Sequence, residues 1–314
     1  MMNTPSILNK ESNSETKEGD VIAIIPARGG SKGIPLKNLR QVGLRSLISY
    51  TIEEALLAEK IDRVIVSTDS ERIAEEGKKR GAEVPFLRPD ELSDDKAPLA
   101  AVMRHFLDWA KEQKWKIKAL VILEPTSPLR TSKEIDEAVE LFRVKEVETV
   151  VSVEKDTSLW WEEEDGQARE MQKERVNRQF LKPKYKENGA IFVTNPEVVT
   201  SSTTIGKKVA LYEMSTEKSI DINSYWDMRL ADLLLRSVKI VFHFKATALL
   251  GFGHFYRVLA LANRLYSNEI VLVCSDYDEG LKERIGTIGF KYILTKEPLE
   301  VIKNEKPTIV INDI

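Results

Sequence analysis

VIAIIPARGGSKGIPLKN, residues 21–38, opens as an apolar run and breaks into a loop that holds Gly29, Gly30 and Gly33. A strand running into a glycine loop is how ligand sites begin in open α/β sheets, at the carboxyl edge of the strands. Glycine lets the backbone come close to a phosphate and aim successive N–H groups at it. Arg28, Lys32, Lys37 and Arg40 add four cations within 13 residues, a match for a triphosphate with a charge of about −4. Pro26 and Pro35 stiffen the two ends of the loop. The spacing is not a Walker A loop, since Ile34 stands where that motif has its second glycine, and no G-x-G-x-x-G is present. Read without a ligand, the same stretch is a solvated basic turn.

Outward from this stretch, short β-rich runs alternate with amphipathic helical ones. That rhythm predicts an α/β fold with a mainly parallel sheet covered on both faces. Strands are expected at 21–26, 63–67, 119–123, 149–153 and 189–193. Leu99, Val102, Met103, Phe106, Leu107 and Ala110 repeat at i, i+3, i+4, i+7 spacing and predict one helix. Helices are also expected over 71–80 and 132–142, each opening on polar or acidic residues. Residues 154–186 break the rhythm: they are charged, lack a clean period and carry Trp160 and Trp161. Long irregular insertions serve as lids, oligomerisation arms or disordered loops. Two adjacent tryptophans favour an arm packed on a partner subunit; a lid folded on its own domain is the alternative.

A helix from 224 to about 236 then closes the first unit. A strand (238–244), a Gly-rich turn, a helix (255–265) and a strand (270–274) start a fresh βαβ pattern, which places a domain boundary near Arg236. The remaining 78 residues, 237–314, end straight after a strand-like run and read as a domain cut short.

Composition narrows the function. The 314 residues hold 47 Lys+Arg against 50 Asp+Glu, a formal charge of −3. That balance argues against a general nucleic-acid or membrane binder. The single cysteine, Cys274, excludes a disulfide framework, and three scattered histidines (His105, His243, His254) argue against a histidine zinc site. No apolar run approaches the roughly 18–20 residues of a membrane span. Residues 1–20 are polar, lack a signal-peptide core and read as a disordered tail. The expectation is a soluble cytoplasmic protein with neither a nucleic-acid nor a membrane partner.

Seven motifs in order carry a resemblance: ARGGSKGIPLKN (27–38), VSTDS (66–70), LRPDELSDD (87–95), EPTSPLR (124–130), NRQ (177–179), YKENGAIF (185–192) and SIDIN (219–223). Together they resemble the acylneuraminate cytidylyltransferases, the CMP-sialic acid synthetases and their relatives for bacterial nonulosonic acids. The resemblance spans about residues 21–236. It implies a Rossmann-like nucleotidyltransferase sheet with a dimerisation insertion (154–187), and a homodimer. It also implies transfer of CMP from CTP to a nine-carbon 2-keto acid sugar, with release of pyrophosphate and a need for Mg²⁺.

By that resemblance, Arg28, Gly29, Gly30, Ser31, Lys37 and Asn38 hold the triphosphate and ribose of CTP. Arg28 and Lys37 suit charge stabilisation at the α-phosphate. Arg88 matches the arginine that helps read cytosine, whose O2 and N3 acceptors suit a guanidinium fork; on its own it is a surface residue before a proline. Arg178 matches a catalytic arginine that binds the sugar acid, and Gln179 lies in the same motif; without the resemblance, Arg178 is a solvated residue of a charged arm. Glu124, Thr126, Ser127, Tyr185, Asn188 and Phe192 fall at positions that face the sugar, though Asn188–Gly189 also reads as a turn.

Three departures stand out. Glu124 replaces the usual Gln and cannot donate when ionised, which implies either an altered sugar substituent or a neutral variation. Asn223 replaces the second of two aspartates that hold Mg²⁺ with Asp221; an amide oxygen still ligates, with less charge. KAPL (96–99) lacks serines that animal members carry near the nucleotide. The alternatives left open are a nucleotidyltransferase for another sugar, such as a deoxyoctulosonate, and a catalytically weak nucleotide-binding scaffold.

The C-terminal GFGHFYRVLALANRL (251–265) resembles the start of the UDP-sugar hydrolases of flagellar nonulosonic acid biosynthesis, which are glycosyltransferase-B-like proteins. It implies a second site in which His254 activates water. Lys245 and Ala246 stand where that family has an acidic residue, and no UDP-sugar hydrolysis is expected from this piece alone. A Gly turn with a histidine at a helix start is the plain alternative.

Overall fold

The computed structural model describes residues 19–31, 33–94, 96–171 and 175–314. Residues 1–18 of the expected disordered tail and Lys32, one of the four loop cations, lie outside the described residues, while Asp20, expected in that tail, is the first residue of a strand. By internal contacts the chain divides into two units, residues 1–41 with 45–227 and residues 42–44 with 228–314.

The first unit is built on β1 (Asp20–Pro26), β2 (Gln41–Val42), β3 (Arg45–Ser46), α1 (Leu47–Leu57), β4 (Arg63–Ser67), α2 (Glu71–Lys79), α3 (Leu99–Glu112), β5 (Ile117–Ile122), α4 (Ser132–Val144), β6 (Thr149–Asp156), β7 (Trp161–Glu164), β8 (Gln167–Glu170), β9 (Lys184–Thr194) and β10 (Val209–Met214). A six-stranded sheet runs in the order β10-β6-β9-β5-β1-β4. Its pairs are parallel except at β9, which lies antiparallel to both β5 and β6. The mainly parallel α/β sheet expected from the sequence is present.

Alternation along β1 explains the two-faced core, since successive strand residues point to opposite faces. Ala23 and Ile25 pack with Ile48 and Ile52 of α1 and Ile135 of α4. Ile22 and Ile24 face the other way, onto Val102, Met103 and Phe106 of α3. These are the residues of the helical stripe, and full burial of Phe106 contributes about 2–3 kcal/mol. α4 starts where Glu134 turns back to accept the Thr131 N–H at 2.9 Å, half of a capping box.

Five strands of the first unit are not among those expected: β2 and β3, which pair with each other, and three more. β10 pairs with β6 at the sheet edge, and β7 and β8 form a small antiparallel hairpin within the irregular 154–186 segment.

The second unit is entered along α5 (Tyr225–Arg236), followed by β11 (Lys239–Ala246), α6 (Gly253–Arg264), β12 (Glu269–Tyr277), α7 (Glu279–Ile285), β13 (Lys291–Leu294), α8 (Pro298–Glu305) and β14 (Ile309–Asp313). Its four parallel strands run β13-β12-β11-β14. Phe242 and Phe244 pack on Phe255 and Val258 of α6, whereas Val241 and Val271 face Val301 and Ile302 of α8. The chain thus winds both ways from β11, and the strand order reverses between β11 and β14. Among the described residues no helix is long and apolar enough to cross a membrane.

Candidate active site

The loop after β1, the turn after β5 and residues 219–223 meet around a cavity of about 430 Å³ in the first unit. Each is fixed by the backbone. Ala27 N–H bonds Ser67 O at 2.9 Å, which ties the loop to the end of β4. Ile222 N–H bonds Thr126 O at 2.9 Å, which ties residues 219–223 to the EPTSPLR turn. Lys37 Nζ then donates to Ile222 O at 2.7 Å and joins loop to segment. Leu36, just before it, takes a left-handed φ of 53°, a conformation that tends to mark functional loops.

Arg28, Ser31, Gly33, Lys37 and Asn38 line the cavity, whereas Gly29 and Gly30 do not. The Asn38 amide donates to Arg28 O at 3.1 Å and holds the loop from behind. Burial lowers the Lys37 ammonium from its ordinary pKa, opposed by the nearby Asp221 and Glu124 carboxylates. Arg88 also lines the cavity, 5% exposed, its Nε donating to Ser93 Oγ at 3.3 Å. Ala97 and Leu99, from the KAPL stretch that departs from the animal members, add apolar surface to the lining.

Glu124 and Thr126 also face the cavity. The Thr126 hydroxyl oxygen is buried with no protein partner, which a bound substrate can satisfy. Burial pushes the Glu124 carboxyl up to about 7; Asp221 and Glu187 add to the rise, and Arg130 and Lys37 oppose it. The Arg130 guanidinium beneath it is wholly buried, donating to Ala190 O at 2.5 Å, to Glu124 O at 3.1 Å and to the Thr51 hydroxyl. EPTSPLR therefore contributes a fixed internal cation as well as pocket groups.

Asp221 and Asn223 stand on the same wall, the Asn223 amide donating to Asp221 Oδ2 at 2.6 Å. They offer a carboxylate and an amide oxygen. Mg²⁺ is commonly held by one or two such groups, with waters and substrate phosphates filling the shell, so the donor set fits that ion beside a triphosphate.

Other expected site residues lie elsewhere. Ser127 is buried and donates to Asn188 O at 3.2 Å. The Asn188 amide is engaged inside the fold, accepting from Ser152 Oγ at 2.6 Å and donating to Ser219 Oγ at 2.9 Å. Asn188–Gly189 is a slip in register within β9, not a chain-reversing turn; Gly189 has φ 66° and passes against the Glu124 carboxylate. Phe192 belongs to the core beside Ile24 and Val151, 4% exposed, because its alternate position on β9 points it onto α3. Arg178 and Gln179, on a 3-10 turn, and Tyr185 on β9 are exposed and do not line the cavity.

In the second unit, His254 sits in the first turn of α6 with Nδ1 2.9 Å from Asp313 Oδ1, and Arg257 donates to both oxygens of Asp313. This cluster lies at the strand-order reversal, where open sheets tend to bind ligands.

The chain is similar to several known proteins. The chain is 36% identical over 219 residues to N-acylneuraminate cytidylyltransferase of Escherichia coli, covering 67% of this chain and 51% of that protein. It is 30% identical over 223 residues to CMP-N,N'-diacetyllegionaminic acid synthase of Legionella pneumophila, covering 68% of this chain and 96% of that one. The chain thus spans about half the length of the Escherichia coli relative. Among solved structures, CMP:2-keto-3-deoxy-manno-octonic acid synthetase complexed with CTP superposes with a TM-score of 0.52 at 12% identity, over 69% of this chain and 98% of that one, a likeness of fold. The cytidylyltransferase family model matches residues 22–247, which takes in every strand of the six-stranded sheet from Ile22 onward and the whole cavity wall. The chain belongs to the cytidylyltransferase family.

Proposed function

We propose that the first unit transfers CMP from CTP to the anomeric hydroxyl of a nonulosonic acid, of the sialic, legionaminic or pseudaminic type, and releases pyrophosphate. One observation carries this reading: a single cavity gathers Arg28, Lys37, Arg88, Asp221 and Asn223. In the reaction the hydroxyl oxygen bonds the α-phosphorus as the bond to the bridging β-phosphate oxygen breaks. Arg28 and Lys37 stabilise the charge on the transferring group, and Arg88 reads the cytosine. Asp221 and Asn223 hold Mg²⁺, which when bound neutralises phosphate charge. Pyrophosphate release is expected only with CTP, Mg²⁺ and a nine-carbon keto acid together, tested on a panel that includes a deoxyoctulosonate. Equal rates with UTP or ATP would remove Arg88 from base reading.

Asn223→Asp is expected to lower the Mg²⁺ concentration for half-maximal rate about threefold or more, because it exchanges a neutral ligand for a charged one. Without metal the same change sets two carboxylates where the amide now bonds Asp221. An unchanged Mg²⁺ dependence would place Asn223 outside the metal shell.

In the same reading the chain is a cytoplasmic homodimer whose 154–186 arm reaches the partner's pocket. Trp161 (55% exposed) and Phe180 (71%) on that arm support it, as does an exposed Arg178 that is not among the residues lining this chain's cavity. Mixing Arg178→Ala with Arg28→Ala chains is then expected to recover part of the activity through hybrid dimers. No recovery would put both residues in one subunit's site. The second unit reads as nucleotide-sugar-hydrolase-like, supported by its parallel sheet and the His254–Asp313 pair.

A further inference from the structure

The end of β4 organises two walls of the cavity at once. Ser67 O accepts the Ala27 N–H at 2.9 Å, and the next carbonyl, Thr68 O, accepts the Arg88 N–H at 2.7 Å. The next side chain, Asp69, accepts the Gly29 N–H at Oδ1, 2.8 Å away. The same oxygen lies 3.9 Å from the Arg88 guanidinium. Asp69 itself is not part of the cavity lining. Its neighbour Ser70 packs so close to Gly29 that a Cβ there would come within 3.0 Å of Ser70 Cβ. The loop can reach Asp69 because residue 29 has no side chain.

Arg88 needs such a counter-charge. It is nearly buried, and Arg28 stands close enough to repel it. A buried guanidinium beside a second cation keeps its place only when a carboxylate offsets the charge. Ser93 holds the Nε edge through a neutral hydrogen bond, which fixes orientation and leaves the charge to Asp69.

We propose that Asp69 is a positioning residue that locks the glycine loop and Arg88 into one register, so that phosphate binding and base selection are set by one carboxylate. The proposal rests on the reading of Arg88 as the group that selects cytosine. Asp69 touches neither the nucleotide nor the acid sugar. It holds Gly29 by a hydrogen bond and Arg88 by charge.

Titration calorimetry of CTP and UTP, with Mg²⁺, into the full chain and into Asp69→Asn and Gly29→Ala variants tests this. Asp69→Asn keeps an acceptor for Gly29 and removes the charge facing Arg88. It is expected to lose about tenfold of the preference for CTP over UTP, with the thermal midpoint and the KM for the acid sugar unchanged. Gly29→Ala leaves the Asp69–Arg88 pair in place and pushes the loop off Ser70, so it is expected to weaken both nucleotides alike and keep the preference. An Asp69→Asn chain that prefers CTP as strongly as the parent overturns the proposal. So does a preference lost only together with a lowered thermal midpoint, which would make Asp69 merely structural. A parent chain that binds CTP and UTP equally overturns the cytosine reading of Arg88 first, and this proposal with it.

Discussion

Lys37→Met is expected to lower turnover by about 10²–10³-fold, the range for loss of one preorganised group that stabilises transition-state charge. Methionine keeps the length of the stem and removes the ammonium, so packing is spared. Two functions go with the charge. Lys37 Nζ spends one donor on Ile222 O at 2.7 Å, which fixes the residue between Asp221 and Asn223. An ammonium has three donors, and the others remain for the triphosphate that the proposed reaction brings to the cavity. Single-turnover kinetics separate the two roles: loss of phosphate stabilisation slows the chemical step, while loss of the Ile222 tether raises the Mg²⁺ requirement. A drop under about threefold in both would make Lys37 a binder of nucleotide only.

Glu124→Gln is expected to stabilise the metal-free fold, and more so at high pH. Burial holds the carboxyl at about 7, above its ordinary value of 4.5. A group whose pKa rises on folding binds its proton more tightly in the native state. The penalty for keeping it ionised is therefore absent below pH 4.5, grows as pH climbs to 7 and is constant above. At pH 8 and above it is about 3 kcal/mol. Glutamine carries no charge, so the variant's advantage should grow by about 2 kcal/mol between pH 5.5 and 8.5. Denaturant unfolding in chelator at the two pH values reads this directly. An advantage that stays flat with pH would mean that Glu124 is not strained by its surroundings.

Much of the fold is legible in the residues themselves. Val21–Pro26 declares a buried strand, and the Leu99–Ala110 stripe declares a helix, because burial on one face writes a period into the sequence. β10 escapes that logic: Val209 and Leu211 are apolar yet 41% and 46% exposed at the sheet edge, so the alternation there does not report a core. The β7–β8 hairpin escapes it too, since Trp161 to Glu164 is exposed at every position.

The site divides the same way. Arg28 and Lys37 are visible because a glycine loop crowded with cations stands out by type, whereas Arg88 and Asp221 are picked out only by their place in motifs of the resembling family. Asp69 and Arg130 act through partners 40 and 60–79 residues away, a proximity that only the folded sheet creates. Phe192 and Asn188 share a motif with exposed Tyr185, but the period of two sends Phe192 inward and the internal hydrogen bonds claim the amide.

The bond from Lys37 to Ile222 spans 185 residues of chain, and this has a bearing on when a newborn chain becomes competent. Synthesis proceeds at about 5–20 residues per second, so the glycine loop leaves the ribosome roughly 10–40 s before the segment that anchors its lysine. During that interval β1 and its neighbours can pair and Asp69 and Glu124 emerge, but the lysine still lacks the Ile222 carbonyl that fixes it. The arrival of Ile222 is the event that anchors the lysine and joins the loop to the segment that carries Asp221 and Asn223.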